Sequence, residues 1–198
     1  MGQPAEKRVT YSEYLAFESC ADTRHEYVDG QILAMAGGSI RHGRLIARLV
    51  VLLASKLQGR GCIPVASDVR VRIRAADRTT YPDVFIVCGE IQRDADDIEA
   101  VTNPTVVFEV LSPSTEYYDR RVKSADYRKL ASVQETVLIS QTSRHVERVT
   151  RGGPRRWVSD EFVGGESMEL TSVGITLDID ALFADELGEI VAPDVVPA

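Results

Sequence analysis

Apolar positions recur at the helical period along the longest patterned segment of the chain. Between His42 and Leu57 they form one stripe, at Leu45, Leu49, Leu52, Leu53 and Leu57. The stripe predicts an amphipathic helix that packs on a core and ends at Gly59 and Gly61. A shorter helix is predicted over "TYSEYLAFES", where Thr10 and Glu13 have the spacing of a capping box.

Short apolar runs predict strands over much of the remaining chain. Buried strands are predicted at "DVFIVC" and "TVVFEVLS", a further strand at "ETVLIS", and hairpins at "HEYVDGQILAMAG" and "HVERVTRGGPRRWVSDEFVGG". The first hairpin turns at Asp29-Gly30. The segment from Cys62 to Ile73 predicts two strands or one bent strand. Its alternating residues are typical of a half-exposed strand: Val69, Val71 and Ile73 against Arg70, Arg72 and Arg74.

The segments between these strands complete the expected architecture. "DRTT" predicts a turn, "RDADDIEAVTNP" an acidic loop, and Asp119 to Leu130 a helix. A last strand and a short helix near "DIDALFADE" follow, and the tail "APDVVPA" is expected to fray. The order predicts an α/β (α+β) fold, in which helices flank a mixed β-sheet and hairpins are added at both ends. One domain is expected over residues 1–198, with its core at about 10–183.

Composition limits the classes of function. Of 198 residues, 44% are hydrophobic and 27% charged, and no stretch approaches the roughly 20 apolar residues of a membrane helix. "MGQPAEKRVTY" lacks the apolar core of a signal peptide, and Cys20, Cys62 and Cys88 are expected to be reduced thiols, so a cytoplasmic protein is predicted. The net charge of -7 slightly disfavours a nucleic-acid partner, although basic residues cluster locally within 41–48, 120–129 and 151–156.

Two carboxylates stand in or beside strands that are otherwise apolar. Asp83 opens "DVFIVC", and Glu109 interrupts "TVVFEVLS". Unpaired acids are rare in buried strands, because desolvating an ion is costly. Acids on neighbouring strands can share a hard cation, which would polarise a phosphate and activate a water. On spacing alone, acids that cap strands or bind arginines are an equal alternative.

The chain resembles a known family from Thr10 to Phe183. The matching stretches, in order, are "RHEYVDGQILAMAGGSIRHGRLIARL", "SDVRVRI" and "YPDV…TNPTVVFEVLSPSTEYYDRRVKSADYRKLASVQETVLIS". They are similar to the Uma family of restriction endonuclease-like proteins, in the PD-(D/E)XK nuclease superfamily. The resemblance implies a restriction-endonuclease-like fold: a central mixed sheet with a helix on each face and a metal site at one end.

The resemblance also implies roles for single residues. Pro82-Asp83 matches the PD element, Glu109 matches the second acid, and the carbonyl of Val110 would be a further ligand of Mg²⁺ or Mn²⁺. The superfamily pattern expects lysine at position 111, where this chain has leucine. Side chains alternate along a strand, so Leu111 shares the face of Glu109 and is expected to form an apolar wall there.

Lys123 is the candidate replacement for the missing lysine. Asp119, Lys123 and Tyr127 recur at i, i+4 and share one face of the predicted helix. The resemblance implies that a lysine from this helix points into the pocket of Asp83 and Glu109, where it would orient the attacking water or offset charge on the phosphate. An exposed Asp119–Lys123 ion pair is the alternative.

Further residues match family positions or lie near them. Glu26, in "HEYVDG", is either an accessory metal ligand or a solvated hairpin residue. His42 contacts phosphate or caps the long helix, and the capping role is favoured. Asp119 and Tyr127 are accessory candidates through the shared helix face. Asp68 is a supporting site residue or a turn residue. A serine hydrolase is not indicated, because the chain has no G-x-S-x-G motif.

These patterns predict a Mg²⁺- or Mn²⁺-dependent endonuclease that hydrolyses phosphodiester bonds, with DNA as the expected substrate and no membrane partner. One alternative is a catalytically inactive module of the same fold that binds nucleic acid or a partner protein; another is a different carboxylate enzyme, such as a glycosidase. A positive surface around the two acids would favour a nucleic-acid partner, and a neutral or acidic surface would favour a protein partner. A homodimer is expected, because cutting both strands of a duplex calls for two active sites.

Overall fold

The computed structural model describes residues 8–35, 37–113 and 115–184. The helices within these ranges are α1 (Tyr11–Glu18), α2 (Ile40–Leu57), α3 (Glu116–Tyr118), α4 (Ser124–Tyr127) and α5 (Ile179–Phe183), with a 3-10 turn at Arg74–Ala76 and a π turn, Asp119–Lys123, between α3 and α4. The strands are β1 (His25–Val28), β2 (Gln31–Ala34), β3 (Cys62–Ala66), β4 (Arg70–Ile73), β5 (Arg78–Thr80), β6 (Val84–Cys88), β7 (Ala100–Val101), β8 (Val106–Leu111), β9 (Glu135–Ser140), β10 (His145–Arg151), β11 (Trp157–Val163), β12 (Ser167–Leu170) and β13 (Ile175–Asp178).

A six-stranded mixed sheet carries the core, in the order β11-β10-β9-β8-β6-β3. β8 and β9 are parallel, and the other neighbours are antiparallel. On one face, buried leucines of α2 pack in the same cluster as Ile86 and Phe108. On the other face, Phe85 and Val107 pack with Tyr127. Since β6 and β8 are buried on both faces, they have the continuous apolar runs that predicted them.

A second sheet, β2-β1-β5-β4-β7, and a small β12-β13 pair complete the fold. The predicted capping box of α1 is confirmed, since the backbone N–H of Thr10 donates to Glu13 at 2.8 Å. The hairpin around Asp29-Gly30 is confirmed as β1 and β2. No helix in the described ranges has the length and apolar content to cross a membrane.

Two predictions for the middle of the chain are wrong. Only the first residue of "DRTT" lies in a turn: the chain reverses at Asp77, with φ of 42°, and the other three residues form β5, which pairs with β1 and β4. Cys62 to Ile73 forms two strands in different sheets, and β4 is not half-exposed. Arg72 is buried, with its guanidinium 4.0 Å from the centroid of the Tyr11 ring. The acidic segment after β6 pairs with the two other arginines of this segment, Arg70 and Arg74, and contributes β7.

Two other expectations need correction. The helix predicted from Asp119 to Leu130 begins at Glu116 and ends at Tyr127. Cys62 and Cys88 are opposite each other in β3 and β6 and form a disulfide, so the prediction of three reduced thiols is wrong. Cys20 is free and exposed. The "APDVVPA" tail lies outside the described residues.

Candidate functional site

A cleft of about 640 Å³ opens at the end of the central sheet, where β6 begins and β8 ends. Its lining brings together most of the candidates from the sequence: Glu26, His42, Asp83, Glu109, Val110, Asp119 and Lys123. Tyr127 lies behind this lining and donates a hydrogen bond to Glu109 at 2.6 Å. The two acids that stand in apolar strands therefore face one cavity.

Strand register places Asp83 beside the second acid. Asp83 immediately precedes β6, whose Val84 pairs with Phe108 of the antiparallel neighbour β8. The next residues along β8 are Glu109 and Val110, and the Val110 N–H donates to Asp83 Oδ2 at 2.7 Å. This backbone contact fixes the Asp83 carboxylate at the strand end.

His42 contacts the same carboxylate. Its Nε2 lies 3.1 Å from Asp83 Oδ1. This hydrogen bond is the main cause that raises the pKa of His42, against the effect of burial, and a bond to the backbone of Val110 contributes. The favoured role of His42 as a helix cap is wrong, because the Ser39 hydroxyl caps α2 by accepting the His42 N–H at 3.1 Å.

Glu109 is the most deeply enclosed acid of the cleft. It is 4% exposed and accepts the hydroxyl of Tyr127, and Lys123 Nζ lies 3.4 Å from its Oε1. Burial raises the pKa of Glu109 to about 8; Lys123 opposes the shift, and the charges of Asp83 and Asp119 add to it. A cation that entered the cleft would favour the ionised form of Glu109.

Lys123 points into the cleft, among three carboxylates. Its Nζ lies 3.0 Å from Glu26, 3.4 Å from Glu109 and 3.5 Å from Asp119. Burial alone would lower the pKa of Lys123, but the carboxylates of Glu109 and Glu26 hold it well above its ordinary value. The exposed ion pair considered as an alternative is therefore wrong, since Lys123 is 7% exposed and Asp119 is 5% exposed.

Glu26 is the centre of a buried polar network that the sequence does not reveal. It accepts hydrogen bonds from the hydroxyls of Thr80 and Tyr118, and Arg78 Nη1 lies 3.5 Å away. Arg78 is fully buried and also binds Asp126 at 2.6 Å. Arg78 and Thr80 lie in the segment predicted to be a turn. Their contacts with Glu26 form because β5 pairs with β1, which is distant in sequence.

The π turn brings the helix residues to one side. Ser124 donates from its backbone N–H to the carbonyl of Asp119, five residues earlier, and its hydroxyl donates to the same oxygen at 2.9 Å. Asp119, Lys123 and Tyr127 are all buried and face Glu109 or the cleft. Such turns occur often at functional sites.

Two residues lie outside the cleft. Leu111 is buried but is not one of the described lining residues, so the expected apolar wall is absent. Asp68 is exposed, has a φ of 72° and lies 3.4 Å from Arg24, which makes it a turn residue.

The donor set suits a hard cation only in part. Within the described ranges, no three His, Cys, Asp or Glu side chains are disposed to hold a metal ion together. Asp83, Glu109 and the Val110 carbonyl nevertheless offer oxygen ligands, and Mg²⁺ usually binds through one or two carboxylates plus water and substrate. The lining has four carboxyl groups against Lys123 and His42, and a divalent cation would favour the ionised form of Glu109 and offset the excess of negative charge.

The chain is similar to a known family and to two proteins of one organism. Residues 11–180 match the sequence model of the Uma2 family, described as a putative restriction endonuclease. The chain is 34% identical to the uncharacterized protein slr1290 of Synechocystis sp., over 89% of this chain and 92% of that protein. It is 35% identical to sll1609 of the same organism, over 80% of this chain and 89% of that protein.

A solved structure shares the fold. The crystal structure of a putative nuclease belonging to DUF820 from Anabaena variabilis matches with a TM-score of 0.72 and 18% identity, over 88% of this chain and 97% of that one. At this identity the likeness shows the fold alone, and it confirms the predicted nuclease-type architecture. Because the family model spans most of the sequence, the chain belongs to the Uma2 family of putative restriction endonucleases.

Proposed function

We propose that this chain is an endonuclease that hydrolyses phosphodiester bonds in DNA with the help of Mg²⁺ or Mn²⁺. The observation that carries the proposal is the group of carboxylates around one buried lysine at the end of a nuclease-type sheet. Family membership supports the nuclease class. The metal and the DNA substrate rest on the chemistry of the cleft.

Asp83, Glu109 and the carbonyl of Val110 are the groups that would hold the ion. Oxygen donors favour Mg²⁺ and Mn²⁺ over zinc, which usually takes His or Cys. When bound, the ion would polarise the scissile phosphate and make a water more acidic. The Val110 N–H orients Asp83 at 2.7 Å, and the Tyr127 hydroxyl orients Glu109 at 2.6 Å. Such outer contacts keep ligands in position.

Lys123 would supply the positive charge that Leu111 cannot. Its ammonium stands 3.4 Å from Glu109, so it lies beside the proposed ligands. It stays protonated at neutral pH, because the surrounding carboxylates outweigh burial and raise its pKa. Lys123 therefore acts as a charge that orients the attacking water or offsets charge on the phosphate, and not as a general base.

Cleavage of a panel of nucleic acids tests this proposal. Plasmid, linear duplex, single-stranded DNA and RNA are incubated with Mg²⁺, Mn²⁺ or EDTA. Asp83→Ala should abolish cleavage, whereas Asp22→Ala, at an exposed acid outside the cleft, should not change it. Calorimetry should show Mn²⁺ binding to the wild type and none to Glu109→Gln. Cleavage by Asp83→Ala at the wild-type rate would overturn the proposal.

A non-catalytic module that binds nucleic acid or a partner protein is the second candidate. Leu111 at the usual lysine position and the excess of carboxylates in the lining both favour it. It predicts that the wild type binds DNA or a protein but cuts no substrate with either metal. Metal-dependent cleavage that Asp83→Ala removes would exclude it.

A further inference from the structure

Two basic segments from different parts of the chain meet on one surface. One is the end of α4, and the other is the turn between β10 and β11. The guanidinium of Arg151 donates to the carbonyls of Val133 and Leu130, both at 2.8 Å, and to that of Arg128 at 3.3 Å. Both Arg128 and Arg151 lie over the ring of Trp157, at 5.4 Å and 4.4 Å from its centroid. The hairpin is therefore fixed to the end of the helix.

The arginines on this surface reach solvent. Arg121 is exposed and lies seven residues, about two helical turns, before the half-buried Arg128, which places the two on one side of the helical segment. Lys129 is exposed as well, and its ammonium pairs with Asp126 at 2.7 Å. Arg155 and Arg156 are exposed at the hairpin turn. Within the described ranges, neither these two arginines nor Arg121 forms an ion pair. Three guanidinium groups are thus available to a polyanion.

The surface begins near the cleft and leads away from it. The helical segment starts with Tyr118 and Asp119, which line the cleft. Its far end meets the hairpin, where the Arg151 N–H donates to the Gln134 carbonyl beside the first residue of β9. The last residue of β9, Ser140, pairs with Leu111 at the cleft end of β8. The two ends of this six-residue strand are about 17 Å apart, a distance that about five base pairs of duplex DNA span.

We propose that a basic track, formed by Arg121, Arg128, Lys129, Arg155 and Arg156, binds the phosphate backbone of duplex DNA and guides it to the cleft. The choice of DNA rests on the proposed function, but the binding surface does not depend on cleavage. In a chain of net charge -7, a local group of unpaired arginines gives a polyanion one favourable face. The alternative polyanion, an anionic membrane, is an outcome of the test.

Salt-dependent binding measures these contacts directly. A fluorescent duplex is titrated with the full chain in EDTA, between about 50 and 200 mM KCl. Arg155→Gln with Arg156→Gln should flatten the slope of log affinity against log salt by about two, and should weaken binding roughly tenfold or more. Lys56→Gln with Arg60→Gln makes the same change of charge at exposed residues near the end of α2 and should bind as the wild type does.

The outcomes separate the proposed basic track from the proposed nuclease activity. An unchanged slope in the hairpin variant, an equal loss in the α2 variant, or no binding of duplex by the wild type would overturn the basic track. Stronger binding to phosphatidylserine vesicles than to DNA would also overturn it. If the wild type binds with the expected slope but cuts nothing, the proposed function fails and the track stands. If Asp83→Ala loses cleavage while the hairpin variant binds normally, the track fails and the nuclease stands.

Discussion

Lys123 and the carboxylates around it stabilise each other, because all of them are buried. Lys123→Met would leave Glu26, Glu109 and Asp119 without the ammonium that lies 3.0–3.5 Å from them. Breaking a buried ion pair by removing one partner costs about 3–5 kcal/mol, so we expect the variant to unfold at a lower urea concentration in EDTA. Lys129→Met is the control: it removes an exposed ammonium, whose ion pair with Asp126 contributes little, and should unfold near the wild type.

Manganese separates the stabilising role of Lys123 from its proposed catalytic role. A bound divalent ion offsets part of the lost positive charge, so Mn²⁺ should restore part of the stability of Lys123→Met. Turnover should still fall about a hundredfold or more, as for the loss of one charge-stabilising donor. Wild-type turnover in this variant would contradict the catalytic role, and unchanged stability in EDTA would contradict the buried pairing.

Glu109 should make stability depend on pH. Burial raises its pKa from 4.5 to about 8 in the folded chain. Between these values the unfolded chain has lost a proton that the folded chain keeps, so the stability of the wild type falls as pH rises through this range and levels off above pH 8. Glu109→Gln cannot ionise and should lack this contribution. In urea unfolding with EDTA, the free energy of unfolding of the variant should therefore increase relative to that of the wild type from pH 5 to pH 8. A difference between the two free energies that stays constant over this range would contradict a buried carboxyl with a raised pKa.

At the level of elements, the correct predictions are those in which local pattern and final burial agree. α2 has buried leucines at the helical period, and β6 and β8 are apolar on both faces, so their sequences alone identify them. Asp83 and Glu109 stand out for the same reason, as charges in apolar runs. The three polar residues of β5 have no such pattern, and they are buried between the neighbouring strand β4 and β1, which is distant in sequence. The sequence alone therefore does not predict that Arg78 and Thr80 support the cleft.

The π turn gives a prediction of its own. It holds one residue more than an α-helical turn and absorbs that residue locally, so deletion of the exposed Arg121 should leave a regular helix with Lys123 still on the side of the carboxylates. With acetic anhydride and mass spectrometry, Lys123 should therefore stay protected in the deletion variant, whereas the exposed Lys129 reacts. Equal labelling of the two lysines in the deletion variant would contradict this account of the turn.

Across the whole molecule, charges of opposite sign are segregated. The cleft has an excess of carboxylates, whereas the basic track lies on the outer side of the helical segment and on the hairpin turn. The screening length is about 10 Å at 0.1 M salt, and the two ends of β9 are about 17 Å apart. A duplex could therefore be attracted to the track while the acids of the cleft are screened. This separation makes a net charge of -7 compatible with a DNA substrate.

The assembly of two chains is the prediction that belongs to this scale. β11 is an edge of the central sheet, and its Val158 and Val163 are 38% and 48% exposed. We propose that two β11 edges pair in a homodimer, because an open edge with exposed apolar residues favours strand pairing. Light scattering at micromolar concentrations should give twice the 21.8 kDa of one chain. Val158→Lys with Val163→Lys should give a monomer, whereas Ile63→Lys, at the opposite edge, should remain a dimer.

The products from a supercoiled plasmid give a second measure of the dimer. Two active sites in one particle should cut both strands of a duplex in a single encounter, so the wild type should form linear DNA with little nicked circle. The monomeric variant keeps its cleft, because Val158 and Val163 are not among the lining residues, and it should accumulate nicked circles first. A wild type that scatters light as a monomer at every micromolar concentration would contradict the dimer, and nicked circles as its main product would then follow from a single site.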